Sequence, residues 1–216
     1  MDENSWKPLL SEALAILDDL RAQGFGAPDV VLGGGTVLMM RLHHRLSKDI
    51  DLFLHDAQWL GLLTPRLNDR VAARVADYSE QANALKLVLP GGDIDFVVAG
   101  AVTRVEPTER LDFAGWSLPL ESSEEILAKK LYFRAGLLKP RDAFDLVATH
   151  RADPDATRRA VIASAPRRAE QRRRLAALAS LPPEALGADI SGLGDFARLL
   201  PTLIADAIAI LDEDAR

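Results

Sequence analysis

The sequence predicts an α+β protein, with strands and helices mixed in its first half and helices alone in its second, divided near Ser122. Three observations predict it. Short apolar runs bounded by glycines alternate with helical patterns up to about residue 118. Two of these runs, Leu85 to Leu89 and Ile94 to Val98, flank Pro90-Gly91-Gly92-Asp93 and read as a β-hairpin. After Ser122 apolar residues fall at helical spacing, and Pro140, Pro154 and Pro166 punctuate three further helix starts.

In order along the chain, Asn4 or Ser5 can cap a first helix running to about Gln23, with Leu10, Leu14, Leu17 and Leu20 near helical spacing; Gly24 and Gly26 stop it. Val30-Val31-Leu32 is a short buried strand. It runs into Gly33-Gly34-Gly35-Thr36 and then a helix through Met39, Met40 and Leu42. Ile50 to Leu54 is the next strand, and Thr64-Pro65 marks another helix start. Val102 to Val105 and Trp116 to Leu118 are candidate edge strands. Ser122 with Glu125 forms a capping box ahead of Ile126, Leu127 and Leu131. The tail around Leu203 to Leu211 is an apolar helix whose simplest use is core packing. No internal repeat and no low-complexity linker interrupts the pattern.

A chain of 216 residues with 48% hydrophobic and 27% charged residues has an ordinary globular composition and can bury a real core. It has no cysteine, so disulfides and thiolate metal sites are excluded and any metal must take oxygen or imidazole ligands. That usage fits a cytoplasmic protein. Met1-Asp2-Glu3-Asn4 does not open like a signal peptide. No apolar run approaches the roughly 20 residues that span a bilayer, so no membrane partner is expected. The net charge of −6 argues against nonspecific nucleic-acid binding by the whole surface. Locally the balance reverses: from Arg158 to Arg174 there are seven arginines and one acid, Glu170. That cluster could track an RNA backbone or simply form a solvated helix face, and it lacks the aromatic residues on which bases stack.

The stretch that carries chemistry is Gly33-Gly34-Gly35-Thr36 followed by Ser47-Lys48-Asp49-Ile50-Asp51-Leu52-Phe53. Glycines between a strand and a helix N-terminus let backbone N–H groups close on a phosphate, and the helix dipole favours the anion. Thr36 adds a hydroxyl. Asp49 and Asp51, two apart on a strand, point to one face. Two adjacent like charges are unfavourable unless a cation lies between them, and magnesium takes one or two carboxylates plus phosphate oxygens. A phosphate cradle beside a metal-binding pair is the equipment of phosphoryl or nucleotidyl transfer. A bare Asp-x-Asp also occurs in solvated turns; here Ile50, Leu52, Phe53 and Leu54 argue for a buried strand instead.

Gly34-Gly35-Thr36, His44-Arg45, Ser47 and Asp49-Ile50-Asp51-Leu52-Phe53 resemble the signature of AbiEii/AbiGii-type toxin nucleotidyltransferases, within the DNA polymerase β-like superfamily. Ile126 to Leu131, Arg134, and Arg141-Asp142-Ala143-Phe144-Asp145-Leu146 resemble that family's second region. The resemblance covers roughly residues 30 to 150. It implies a small mixed sheet flanked by helices over residues 1–121, and a helical domain over 122–216 that completes the active-site cleft. It implies magnesium, or manganese in its place, bridged by Asp49 and Asp51 to a nucleoside triphosphate substrate. Gly34, Gly35 and Thr36 would lie at the phosphates. Asp95, alternating with Ile94 and Phe96, matches a third carboxylate that binds metal or activates the attacking hydroxyl. Lys130 resembles a lysine that neutralises the triphosphate, and Asp142 a late acid near the site. Thr36 stands where the wider superfamily has serine, and keeps the hydroxyl. The partners this implies are an NTP, an RNA or tRNA 3′ end or a protein as acceptor, and a cognate antitoxin.

Several of these residues have plainer uses. Arg45 could fork onto phosphate or pair with an acid. Ser47 could join the phosphate contacts or fix its turn through the backbone. His43 and His44, being adjacent, do not make a zinc site on one helix face. Asp142 could complement a helix N-terminus, with Asp145 pairing to Arg141 one turn away. Asp93 reads as a cap or turn residue. Two other readings of the whole stand beside the toxin: a non-catalytic nucleotide-binding module, and a nucleotidyltransferase acting on a small molecule such as an antibiotic.

Overall fold

A computed structural model describes residues 3–188 and 190–213. The chain divides into two compact units. The first comprises 1–37, 47–100 and 107–121. The second takes 38–46 and 101–106, which the sequence reading placed with the first half, together with 122–216.

The first unit is built on a seven-stranded mixed sheet: β1 (Val30–Gly33), β2 (Ile50–Leu54), β3 (Asp77–Gln81), β4 (Ala84–Leu89), β5 (Gly92–Val98), β6 (Glu109–Phe113) and β7 (Trp116–Leu120), in spatial order β3-β4-β5-β2-β1-β7-β6. β2 pairs antiparallel with β1 and parallel with β5. Alternation sets the two faces. Ile50, Leu52, Leu54, Ile94, Phe96, Leu85 and Leu87 are buried, and the residues between them face the other way. The helix α1 (Lys7–Ala22) packs against β2 and β5 and buries Leu9, Leu10, Ala13, Leu14, Ile16, Leu17 and Leu20. Those seven apolar side chains give the sheet its cover, at about 1.5–3 kcal/mol for each large one buried.

Local sequence explains where elements start and stop, and corrects some expectations. α1 begins at Lys7, with Pro8 in its first turn; its N-cap position is Trp6, with no side-chain cap, rather than Asn4 or Ser5. Gly24 and Gly26, at φ of 86° and 82°, end the turn after it. Thr64-Pro65 closes a helix, α3 (Gln58–Leu63), instead of opening one. Thr64 is extended, at ψ 132°, because the proline ring disfavours helical backbone in the residue before it. The next helix, α4 (Asp69–Ala72), starts at Asn68, whose side chain accepts from the N–H groups of Arg70 and Val71. The hairpin turn is the two residues Pro90-Gly91, shorter than expected, since Leu89 pairs with Gly92. β7 is no edge strand: it lies between β1 and β6. The true edges are β3, polar and exposed throughout, and β6, which alternates only Leu111 and Phe113 with charged residues.

The second unit is helical: α5 (Ser123–Phe133), α6 (Pro140–Ala152), α7 (Pro154–Ala163), α8 (Arg168–Ala179), the short α9 (Pro183–Gly187) and α10 (Leu203–Glu213). The helix α2 (Gly34–Leu42) contributes residues to both units. Pro140 and Pro154 stand at the first positions of α6 and α7, while Pro166 falls in a 3-10 turn before α8. Ser122 caps α5 by accepting from Glu125 N at 3.0 Å. Glu125 does not return the bond. Its carboxylate accepts from Val102 N at 2.9 Å and Thr103 N at 2.7 Å. That explains why 102–105, expected as a strand, forms none: a side chain supplies the acceptor that a ladder would have supplied.

Candidate active site

The loop before β2 is fixed from α2. Thr36 is fully buried; its Oγ1 donates to the Asp49 carbonyl at 2.7 Å and lies 3.2 Å from Ser47 Oγ. A hydroxyl has one proton, so with Thr36 committed to the carbonyl, Ser47 donates to Thr36. Both were expected at phosphate; both are seen here holding the segment that presents Asp49. Gly34, at φ 71°, lies opposite Asp51: a Cβ built there would stand 1.9 Å from Asp51 Oδ2. Gly34 is thus required twice, for its backbone angle and for the space its missing side chain leaves to the carboxylate. Gly35 follows in the same first turn of α2.

The pairing register then assembles a row of acids. Asp51 is the Cα partner of Asp95 in the parallel β2–β5 ladder, so the two side chains leave the same face of adjacent strands about 4.8 Å apart. Asp49 precedes Asp51 by two residues, and its Oδ1 accepts from Asp93 N at 3.2 Å. Asp93, expected as a turn residue, precedes Asp95 by two and shares its face. All four are half-buried.

Sequence reasoning missed the cation of this face. Lys86 on β4 is the cross-strand partner of Asp95. Its Nζ donates to Asp95 Oδ2 at 2.8 Å and to Asp93 Oδ2 at 2.9 Å. The signal was present: a two-residue turn at Pro90-Gly91 puts position 86 opposite 95. Burial pushes the Asp95 carboxyl above its ordinary range; Lys86 opposes the rise, while the Asp93 and Asp49 charges add to it. Burial works against the Lys86 ammonium, yet its bonds to Asp95 and Asp93 hold its pKa above the usual value.

Among the described residues no group of three or more His, Asp or Glu side chains is disposed to hold a metal ion. Asp95, which the sequence reading placed with Asp49 and Asp51 as a metal ligand, is bonded here to Lys86. The donor chemistry still fits magnesium, a hard cation that needs only one or two carboxylates beside phosphate and water; Asp49 and Asp51 supply that pair.

The second unit holds a buried ionic network. Asp145, fully buried, accepts from Arg45 Nε at 2.6 Å and Nη2 at 2.9 Å, and from Lys130 Nζ at 2.7 Å. His44 Nε2 lies 2.7 Å from its Oδ1, so against this acceptor the hydrogen-bond network assigns the proton to Nε2. Lys130 Nζ also reaches Asp142 Oδ1 at 3.3 Å, beside Arg134 Nη1 at 3.0 Å, while Asp142 Oδ2 accepts from Lys139 N at the start of α6 at 2.9 Å. Arg45, Lys130 and Asp142 were expected at the nucleotide. In this structure they are buried and their charges are matched within the helical unit; Arg45 is 4% exposed and Lys130 8%. Asp145 pairs with Arg45, a hundred residues back, rather than with Arg141. Burial alone would raise the Asp145 carboxyl; the Arg45 and Lys130 charges and the hydrogen bonds from His44 and Arg45 outweigh it and hold it well below the ordinary range. Asp142 is lowered too, with burial overcome by Lys130 and Arg134.

The arginine cluster is largely committed to the protein. Arg159 bonds Glu124, Arg167 bonds Glu170, Arg172 bonds Asp212, Arg174 bonds the Leu138 carbonyl, and Arg168 bonds the Val161 and Leu211 carbonyls. Arg158 and Arg173 are exposed. No helix among the described residues is long and apolar enough to cross a membrane.

A family model described as "Nucleotidyl transferase AbiEii toxin, Type IV TA system" matches residues 15–209. The chain belongs to the AbiEii nucleotidyltransferase toxin family. Among solved structures, the antibiotic-resistance factor ANT(2'')-Ia is similar with a TM-score of 0.53 at 18% identity, covering 82% of this chain and 97% of its own; the likeness is one of fold. MenT4, a nucleotidyltransferase toxin from Mycobacterium tuberculosis H37Rv, matches at 20% identity over 98% of this chain and 95% of its own, with a TM-score of 0.45. A comparison with curated proteins finds no match.

Gly34 offers a direct test of how the site is built. Gly34→Ala combines a left-handed backbone angle, costing about 1–2 kcal/mol for a residue with a Cβ, with a clash against Asp51. Thermal melts should show that loss, and nucleotidyl transfer should fall at least about tenfold as the carboxylate is displaced. A variant of full stability and full activity would show that the Asp51 side chain has freedom to move without consequence.

Proposed function

We propose that this AbiEii-family protein transfers a nucleoside monophosphate from an NTP to an acceptor hydroxyl, acting as the toxin of a toxin–antitoxin or abortive-infection system. The observation that carries this reading is the register that sets Asp51 beside Asp95, with Asp49 two residues before Asp51. Asp49 and Asp51 hold the divalent ion, magnesium or manganese, which supplies neutralising charge to the triphosphate and the leaving pyrophosphate. Asp95, raised by burial, takes the proton of the acceptor hydroxyl. The acceptor oxygen bonds to the α-phosphorus as the α–β bridge breaks, and the bonding electrons leave with pyrophosphate. Thr36 and Ser47 position Asp49, and Gly34 gives Asp51 its room. We assign Lys130, Asp142, Asp145 and Arg45 to the internal scaffold of the helical unit.

The acceptor is an RNA or tRNA 3′ end or a protein side chain, and an antitoxin is the expected partner in the cell. The test is incubation of the purified protein with magnesium, each labelled NTP in turn, and total RNA, cell protein or an antibiotic panel. Label should appear in one macromolecular acceptor, and expression should slow growth. Label in an antibiotic alone would move the reading to a small-molecule enzyme. No label in any acceptor would favour a nucleotide-binding module.

A further inference from the structure

We propose that Lys86 is the resident counter-cation of the β5 acids, occupying at Asp93 and Asp95 the place a second divalent ion would take, so that ion binding by the nucleotide-free protein is confined to Asp49 and Asp51. This deepens the reading of the site given above and rests on it. The ammonium bridges two carboxylates on one strand, 2.9 Å from Asp93 Oδ2 and 2.8 Å from Asp95 Oδ2. Its position is not adventitious. Lys86 stands directly opposite Asp95 in the β4–β5 ladder, and a register pinned by a two-residue turn cannot slip without moving every buried side chain of β4 to the other face. One cation shared by two acids satisfies the repulsion that would otherwise call for a metal. It also leaves Asp95 its negative charge without a metal bond, as a base needs.

The consequence is a count of ions. Manganese binding to the full chain without nucleotide can be followed by the loss of the free-ion paramagnetic resonance signal. The wild type should bind a single ion. Lys86→Met keeps the stem and removes the charge, and it should bind a second ion about tenfold or more tightly than any second ion in the wild type. Lys86→Gln should do the same, and Lys86→Arg should behave as the wild type. Adding Asp95→Asn to Lys86→Met should abolish the second ion. Identical isotherms for wild type, Lys86→Met and Lys86→Gln would overturn the proposal, as would two ions already bound by the wild type. Asp51→Asn reads the underlying site separately: if it leaves manganese binding untouched, the metal pair itself is misassigned, whatever Lys86 does.

Discussion

Asp51→Ala is expected to lower nucleotidyl transfer by about a thousandfold or more, some 4 kcal/mol of lost transition-state stabilisation, while leaving the fold intact. The two halves of that expectation have separate causes. Asp51 lies on the half-buried face of β2, and its neighbours Ile50 and Leu52, which are fully buried, carry the packing. Asp51 is half-buried rather than part of that core, so its replacement by alanine should change the melting temperature little. Catalysis has no such tolerance on the proposed mechanism, in which Asp51 would be one of two acids holding the divalent ion and its loss would take away charge that the reaction needs at a fixed place. The control is Asp112→Ala, an exposed acid on the edge strand β6, which should transfer as the wild type does. Expressed in cells, wild type should slow growth and Asp51→Ala should not. Full transfer by purified, folded Asp51→Ala protein would refute the mechanism.

What the sequence could and could not disclose follows from the range of the interactions. The placement of Asp51 and Asp95 on one face was legible because strand geometry has a period of two and the flanking apolar residues declare which face is buried. The position of Gly34 was legible for a similar local reason, though the contact with Asp51 that explains it was not. Lys86 was within reach only through hairpin register, which depends on whether the turn has two residues or four. The edge strand β3 carries no hydrophobic period, since an edge with both faces wet needs none, and β6 offers only the short alternation of Leu111 and Phe113. Hardest of all were the partners of buried charges. Nothing in the composition of 43–47 says that Arg45 will meet Asp145 rather than a phosphate, because both offer two anionic oxygens to the same guanidinium fork. Likewise Thr36 has one proton, and only the fold decides whether a backbone carbonyl or a ligand receives it.

The buried network yields the second large effect. Asp145→Asn is expected to destabilise the protein by about 3–5 kcal/mol, the cost of breaking a buried ion pair from one side. Arg45 Nε and Nη2 both lose their charged acceptor. Lys130 keeps its bond to Asp142 at 3.3 Å, and the neutral asparagine amide does not replace the missing charge. Spread over a chain of this size the loss corresponds to a drop in melting temperature of roughly 6–20 °C. Its pH dependence identifies the cause. Asp145 and Asp142 are both lowered in the folded state, so their contribution is complete above the unfolded carboxylate value of about 3.9 and declines as pH falls below that toward the folded values. The gap between wild type and Asp145→Asn should therefore be constant from about pH 5 to neutrality and narrow in acid below about pH 4. A gap that stays the same at pH 3 and pH 7 would mean that the residue stabilises by shape rather than by charge. Transfer by the variant, measured well below its melting temperature, separates scaffold from chemistry. A positioning role for the network leaves most activity in the protein that remains folded, whereas a collapse of turnover at full foldedness would return Lys130 and Asp142 to the reaction itself.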